Sequence, residues 1–573
     1  MPFQLSPGVN VSEIDLTTIV PSVGTTEGAY AGRFAWGPIN QITTISNEIE
    51  LVSTFGKPDS STYLDYFTCA NFLSYARNLK VIRSANTSVA KNATANGTGL
   101  LIANRDQYEV DYMDLSAANT NGMFAAKYAG ELGNSLSVSL WASANATAFA
   151  AWGPDGDYAS EFNGAPGTSQ FVSGVNGAND EMHILVIDSK GAFTGLANTI
   201  LEKFSYVSKA SDAKNDDGSS NYWVNVLNSR SSYIYAINNA MAANGVAQTT
   251  TWGTTAGNTT FAQTSNEYTF SLSGGVSGAV SDANRTSAYD LFDNADEVDV
   301  SLVVLGSASS TLIQNVIDRV VTNRKDCVAF FSPRFDDVVN NVGSEAADII
   351  AFKNLIGRST SYAVMDSGWK YQFDKFNNVY RWVPLNGDIA GLCVRTDFER
   401  DPWFSPAGFN RGQIKNVVKV AWNPNKTMRD ELYKNGINPV VTFNGEGTIL
   451  YGDKTLLAKP SAFDRINVRR LFIVLEKAIA RAAKYSLFEF NDAFTRAQFV
   501  ALVEPYLRDV QGRRGIYDFR VVCDETNNTP EVIDRNEFIG DIYIKPARSI
   551  NFIQLNFVAV RTGVAFDEIV GRF

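Results

Sequence analysis

Apolar positions change their spacing along this chain, and the spacing divides it into regions of different kinds. Over residues 296–365 short apolar runs alternate with helical patterns. Residues 298–305 predict a buried strand, and 311–324 a helix carrying Leu312, Ile313, Val316, Ile317 and Val320 on one face. Strands at 327–331 and 361–365 follow, with a helix at 348–355 between them. Such alternation predicts a partly parallel sheet covered by helices. Residues 23–85 repeat the pattern. They hold a strand and turn at 28–38, a helical pattern at 63–78 behind Ser61 and Thr62 as caps, and a strand at 80–83. Tyr63, Phe67, Ala70, Phe72 and Leu73 mark the helical spacing.

Residues 86–295 read differently. Stretches such as ANTSVAKNATANGTG are rich in Asn, Thr, Ser, Gly and Ala, charge is sparse, and strand-like pieces recur at 182–187 and 268–272. This predicts one or two β-rich domains inserted into the fold begun by 23–85, at an exposed loop that tolerates insertion. In the last unit, 464–484 is the strongest helix signal, with Phe472, Leu475, Ile479 and Ala482 or Ala483 as its apolar stripe. A second helical pattern at 494–507 is interrupted by Pro505. Strands are expected at 538–544 and 550–560, the latter apolar on both faces and so covered on both sides.

Residues 1–22 read as an arm, punctuated by Pro2, Pro7, Gly8 and Pro21, with strand-like alternation over 9–12. A lone terminal strand must borrow a sheet edge, from its own domain or from elsewhere. The expected fold class is α+β multidomain: an arm at 1–22, a discontinuous α/β core made of 23–85 and 296–460, a β-rich insert at 86–295, a carboxy-terminal domain at 461–545, and a terminal strand and arm at 546–573.

Composition narrows the function. With 573 residues, 45% of them hydrophobic, a packed multidomain protein is expected. A net charge of −11 argues against a nucleic-acid coat, whose affinity rests on Lys and Arg neutralising phosphates. No run approaches the ~20 apolar residues of a membrane span, and the opening MPFQLSPGVNVSE lacks a signal-peptide pattern. Cys69, Cys327, Cys393 and Cys523 lie far apart without metal or redox spacing, and the runs around Cys327 and Cys523 suggest buried thiols and a reducing compartment.

No constellation carries chemistry. The single histidine, His183, sits mid-strand in EMHILVIDS and reads as a satisfied structural residue. G-x-S-x-G, P-loop and dinucleotide fingerprints are missing, and one histidine excludes a multi-histidine metal site. Acidic pairs such as Asp336–Asp337 are expected by chance in a chain of this size, and 524–528 is a polar turn without the spaced ligands of a calcium loop. The expectation is a protein that is not an enzyme and has no cofactor. One cluster invites a second reading. Arg470, Lys477, Arg481 and Lys484 fall on one side of the helix at 464–484. They form either a solvated face or a docking face for an acidic partner.

Several stretches resemble a known family. LSPGVNVSE at 5–13, GRFAWGPINQITTISNEIELVSTFGKP at 32–58, the loop from Pro402 to Gly412, INVRRLFIVLEKAIARAAKYSLFEFND at 466–492 and GVAFDEIVGRF at 563–573 are similar, in order, to tail sheath proteins of contractile-tailed, myovirus-type bacteriophages. The insert matches nothing in that pattern. The resemblance implies stacked hexameric rings in a helical homo-oligomer around a tail tube protein, closed by baseplate and tail terminator proteins. The chain would be assembled in the host cytoplasm and lodged in the virion tail, without nucleic acid or membrane insertion. On triggering, the rings shorten and widen and drive the tube through the host envelope. It implies a tube-facing carboxy-terminal domain touching the tube through Arg470, Lys477, Arg481 and Lys484. It further implies terminal arms exchanged between subunits through Val9, Val11, Ile14, Ile553, Leu555 and Phe557, and an insert that decorates the outside. The alternatives are the sheath of a related bacteriocin or secretion-type injection system, and an enzyme with a glycan-hydrolysing insert.

Overall fold

The computed structural model describes residues 26–115, 121–238 and 251–551. Its centre is a seven-stranded sheet in the spatial order Ile437–Asn438, Ala363–Asp366, Val328–Phe331, Leu302–Val304, Gly28–Gly32, Leu79–Arg83, Thr43–Ile45. All neighbours are parallel except the last pair. Gly28 stands opposite Leu302 and Leu79, and Tyr30 opposite Val304 and Val81. This register sends Ala29, Ala31, Val303 and Ala329 to one layer, and Tyr30, Val81, Leu302 and Val328 to the other. Both faces are buried, which is why the strands read as continuous apolar runs rather than as alternation.

Helices Asp282–Asp290, Ser310–Val316 (continued by a π turn to 324) and Glu345–Ile356 cover the first layer. Tyr63–Leu73 and Asn386–Glu399 cover the second. The helix Tyr63–Leu73 sits so close that a Cβ on Gly28 would fall 2.5 Å from the Phe72 ring, so this strand needs glycine there.

Beyond Arg83 the chain enters the insert. Four antiparallel strands, Thr199–Ser208, Glu181–Asp188, Leu136–Trp141 and Tyr268–Ser271, form its main sheet. Val138, Met182 and Ile184 face one cluster with Trp223 and Leu227. Trp141 and Leu185 face another, with Phe149, Trp152 and Phe162. The return to the core comes before the expected residue 296. Ser281 and Asn284 form a capping box that starts the helix Asp282–Asp290, whose Ala288 and Tyr289 belong to the core's cluster. Polar residues on its solvent side hid this helix in the sequence.

The carboxy-terminal unit packs helix Ile466–Ala483 against helix Ala493–Gly512 and a two-stranded antiparallel ribbon, Ile516–Val522 with Asp541–Pro546. Leu475, Ile479 and Ala482 face the second helix, whereas Phe472 turns to Phe463 with rings 4.8 Å apart. Pro505 does not interrupt the second helix. It is exposed, and so is Ala501, whose carbonyl loses the bond that a residue at 505 would normally donate, so water can take that place. The expected strand at 550–560 lies outside the described residues from 552 onward.

Candidate functional site

The seam between core and carboxy-terminal unit gathers the four basic residues expected to touch a tube, Arg470, Lys477, Arg481 and Lys484. Helix Ile466–Ala483 has its apolar face on its own unit, which leaves the basic stripe facing the core. There the stripe meets four aspartates from distant parts of the chain. Arg470, buried, pairs with Asp397 and donates to the Cys393 carbonyl at 3.3 Å. The Lys477 Nζ lies 2.8 Å from Asp299, 2.8 Å from the Val300 carbonyl and 3.3 Å from Asp326. Arg481 also binds Asp299, and Lys484 reaches Asp296 at 3.4 Å. Burial alone would raise Asp299, but hydrogen bonds and charge from Lys477 and Arg481 hold it below the usual carboxylate range. The stripe is thus neither a solvated face nor fully available to an outside partner. The first acidic surface it meets is the chain's own core. Arg470 and Lys477 are enclosed, while Arg481 and Lys484 remain 44% and 66% exposed.

The loop from Pro402 to Gly412 stitches the seam. Trp403 sits among the carboxy-terminal side chains, donates Nε1–H to the Arg513 carbonyl at 3.1 Å, and offers its own carbonyl to Asn467 at 3.2 Å. Gly408 and Gly412 bond to both sides of Leu450 in the core, and a Cβ on Gly412 would stand 2.8 Å from the Leu450 carbonyl. Ser405 donates to Asp453 at 2.9 Å.

Asp453 also marks where the chain leaves the described region. Its carboxylate accepts from Ser549 at 2.7 Å and Tyr433 at 3.2 Å and lies 3.5 Å from Arg465. Asn551 is 3.0 Å from the Tyr433 hydroxyl. At the other end Thr26 donates to Asp397, the partner of Arg470. Both exits are therefore fixed by an aspartate on the core. The arm residues Val9, Val11, Ile14, Ile553, Leu555 and Phe557 lie outside the described residues. The ribbon beside the carboxy-terminal exit has two outer edges, and among the described residues no third strand joins either.

Elsewhere, sites that often carry chemistry are filled. In open α/β sheets ligands bind at the carboxyl ends of strands where the strand order reverses, here between Gly28–Gly32 and Leu302–Val304. Arg285 occupies that crevice, donating to the carbonyls of Ser307 at 2.7 Å, Leu305 at 2.9 Å and Ala31 at 3.4 Å. Asn386 closes it from the other side through both the N–H and the C=O of Gly306, each at 2.9 Å. His183 is fully enclosed in the insert. Its Nδ1 accepts from the Tyr206 amide at 3.0 Å, Nε2 lies 3.0 Å from the Gly164 carbonyl, and its ring stacks on Phe162 at 4.1 Å. Burial lowers its pKa to about 4. Cys69, Cys327, Cys393 and Cys523 are buried free thiols, and burial pushes Cys327 and Cys393 up to about 12. Asp337 of the pair at 336–337 is held by Arg334 at 2.8 Å, a structural partner. Among the described residues no group of three or more His, Cys, Asp or Glu is placed to hold a metal, and no helix is long and apolar enough to cross a membrane.

Comparison with known proteins covers 99% of the chain. Residues 278–456 match the phage tail sheath protein central domain, and 458–559 match the phage tail sheath C-terminal domain. The tail sheath protein of Vibrio phage KVP40 is 35% identical, over 99% of this chain and 100% of its own. That of Enterobacteria phage T4 is 35% identical over 99% of both. Among solved structures, the helical sheath of the anti-feeding prophage in its contracted state superposes with a TM-score of 0.50 over 97% of this chain and 99% of its own, at 12% identity.

Proposed function

Because the chain belongs to the family of phage tail sheath proteins, we propose that it is a structural subunit of a contractile bacteriophage tail, which polymerises around the tail tube and contracts to drive that tube through the host envelope. It is a structural protein and not an enzyme, as its relatives are. The finer picture is our reading: hexameric rings stacked helically, a tube at the centre, baseplate and terminator proteins at the ends, and assembly in the host cytoplasm. Full-length identity to phage tail sheaths favours a phage tail over another injection system.

The observation that carries this reading is the ribbon at 516–522 and 541–546. Two strands alone are marginal, and an open edge is a template for another strand. Arms supplied by neighbouring subunits, 1–22 and 546–573, would complete it. The fixed exits at Thr26 and Asn551 support this, since an arm launched from a rigid point reaches a defined neighbour. Tube contact falls to Arg481 and Lys484, because their ion pairs are exposed whereas Arg470 and Lys477 are enclosed in the seam. Weak exposed pairs suit a contact that must break during contraction.

Electron micrographs of purified chain test the reading. Intact protein is expected to form regular tubular polymers, and protein lacking residues 1–22 to remain dispersed. Equal polymerisation of both would sink arm exchange. Charge reversal at Arg481 and Lys484 is expected to lower co-assembly on tubes.

A further inference from the structure

A cavity of about 390 Å³ opens at the seam, between helix Asn386–Glu399 and the two helices of the carboxy-terminal unit. Val394, Ile473, Val474, Tyr506 and Val510 give it an apolar wall, and Trp403 lies among the lining side chains. One polar atom is out of keeping with its surroundings. Asp397 uses Oδ2 for Arg470 and Thr26, but its Oδ1 is buried and has no hydrogen-bond partner among the described residues. A buried carboxylate oxygen left unpaired is costly, and such groups require an explanation. Phe398, beside it, is 92% exposed at the cavity's edge.

The described chain begins at this place. Thr26 lines the cavity and is bonded to Asp397, so the residues before it are tethered at its mouth. Val23 lies three residues away, within about 10 Å of extended chain, and tethering gives it a high effective concentration. The preceding sequence suits the space. Val20-Pro21-Ser22-Val23 has proline at the second position of a potential β-turn, which brings the first and fourth residues within about 7 Å. Two valines would then stand together on one small apolar wedge. Gly24 allows the chain to reverse, and Thr25 and the local backbone amides supply donors.

We propose that this cavity is the seat for residues 19–25 of the same chain, with Val20 and Val23 against its apolar wall and a donor from this segment on Asp397 Oδ1. The proposal rests on the arm-exchange reading only for the fate of residues 1–18. Seating the root would shorten the free arm to those residues and set its hinge upstream of Val20.

The test is a cysteine pair in the full chain, Val23→Cys with Val474→Cys, oxidised mildly. The four native thiols are buried, so a new disulfide is readily assigned by peptide mass spectrometry. A disulfide within one chain is expected. A disulfide between chains, read by mixing singly substituted copies of different mass, would assign the seat to a second copy and overturn the proposal. No disulfide from this pair or from Val20→Cys with Val474→Cys would overturn it as well. An independent readout is thermolysin cleavage within 19–25, expected to accelerate at least tenfold in Val23→Asp; an unchanged rate counts against the seat. Micrographs of the same samples separate the two readings. Polymers without the intrachain link reject the seat and leave the sheath function standing, whereas the link without polymers supports the seat and rejects arm exchange.

Discussion

The core holds its two neighbours in different ways. Toward the insert the attachment is aromatic, with one enclosed cation. Trp36 leaves the core to pack edge-on against Tyr128 and Phe193 of the insert, at 5.3 and 5.1 Å. Arg83 is buried among carbonyls, donating to Phe34 at 3.0 Å, Gly37 at 2.8 Å and Ala129 at 2.6 Å. Toward the carboxy-terminal unit the attachment is ionic, a ladder of Arg and Lys on aspartates that grows more exposed from Arg470 to Lys484. A joint of rings and a buried guanidinium bonded to carbonyls responds little to salt, because burial shields it from screening ions. A ladder of ion pairs responds in proportion to its exposure. The first joint is held by burial, and the second loosens from its exposed end as ionic strength rises.

The sharpest way to break this contrast is at the buried end of the ladder. Arg470→Ala strands the Asp397 carboxylate and is expected to destabilise the chain by about 3–5 kcal/mol, measured by urea unfolding. Arg470→Met with Asp397→Asn should recover most of the loss. Next comes pH, which should act on the two regions in opposite senses. His183 is held at about 4 against an ordinary 6.5, so the insert keeps its full stability above pH 6.5 and loses up to about 3 kcal/mol as pH falls toward 4. Asp366 in the core is raised by burial from an ordinary 3.8 to about 7, so its penalty builds as pH rises from about 4 to about 7, is complete above that, and disappears in acid. Regional proteolysis across pH 4–8 should therefore find the insert opening first in acid, and His183→Gln should flatten that response. Arg83→Met is expected to cost about 2 kcal/mol through orphaned carbonyls, with the same value at low and high salt. Lys484→Ala should change stability by less than about 0.5 kcal/mol, an effect lost in 1 M salt.

The sequence was most legible where burial is two-sided. The strands near 302, 328 and 363 announce themselves as apolar runs, and the helix at 311–324 by its stripe. Helix Asn386–Glu399 was not legible, because Asn386 and Asp388 face inward to serve the filled crevice and the buried Lys370, which lies 2.8 Å from Asp388. Inward polar residues break the amphipathic pattern that reveals a helix. The basic stripe was legible as a stripe but not as a seam. Its partners, at 296, 299, 326 and 397, are scattered over a hundred residues and converge only when the sheet forms. The cavity left no signal of its own, since its lining comes from the edges of three helices and a loop.

Arg285 and Asn386 have a consequence for what the core can hold. They fill the slot where related sheets receive small molecules, so this fold keeps no lock at that place for a chemical key.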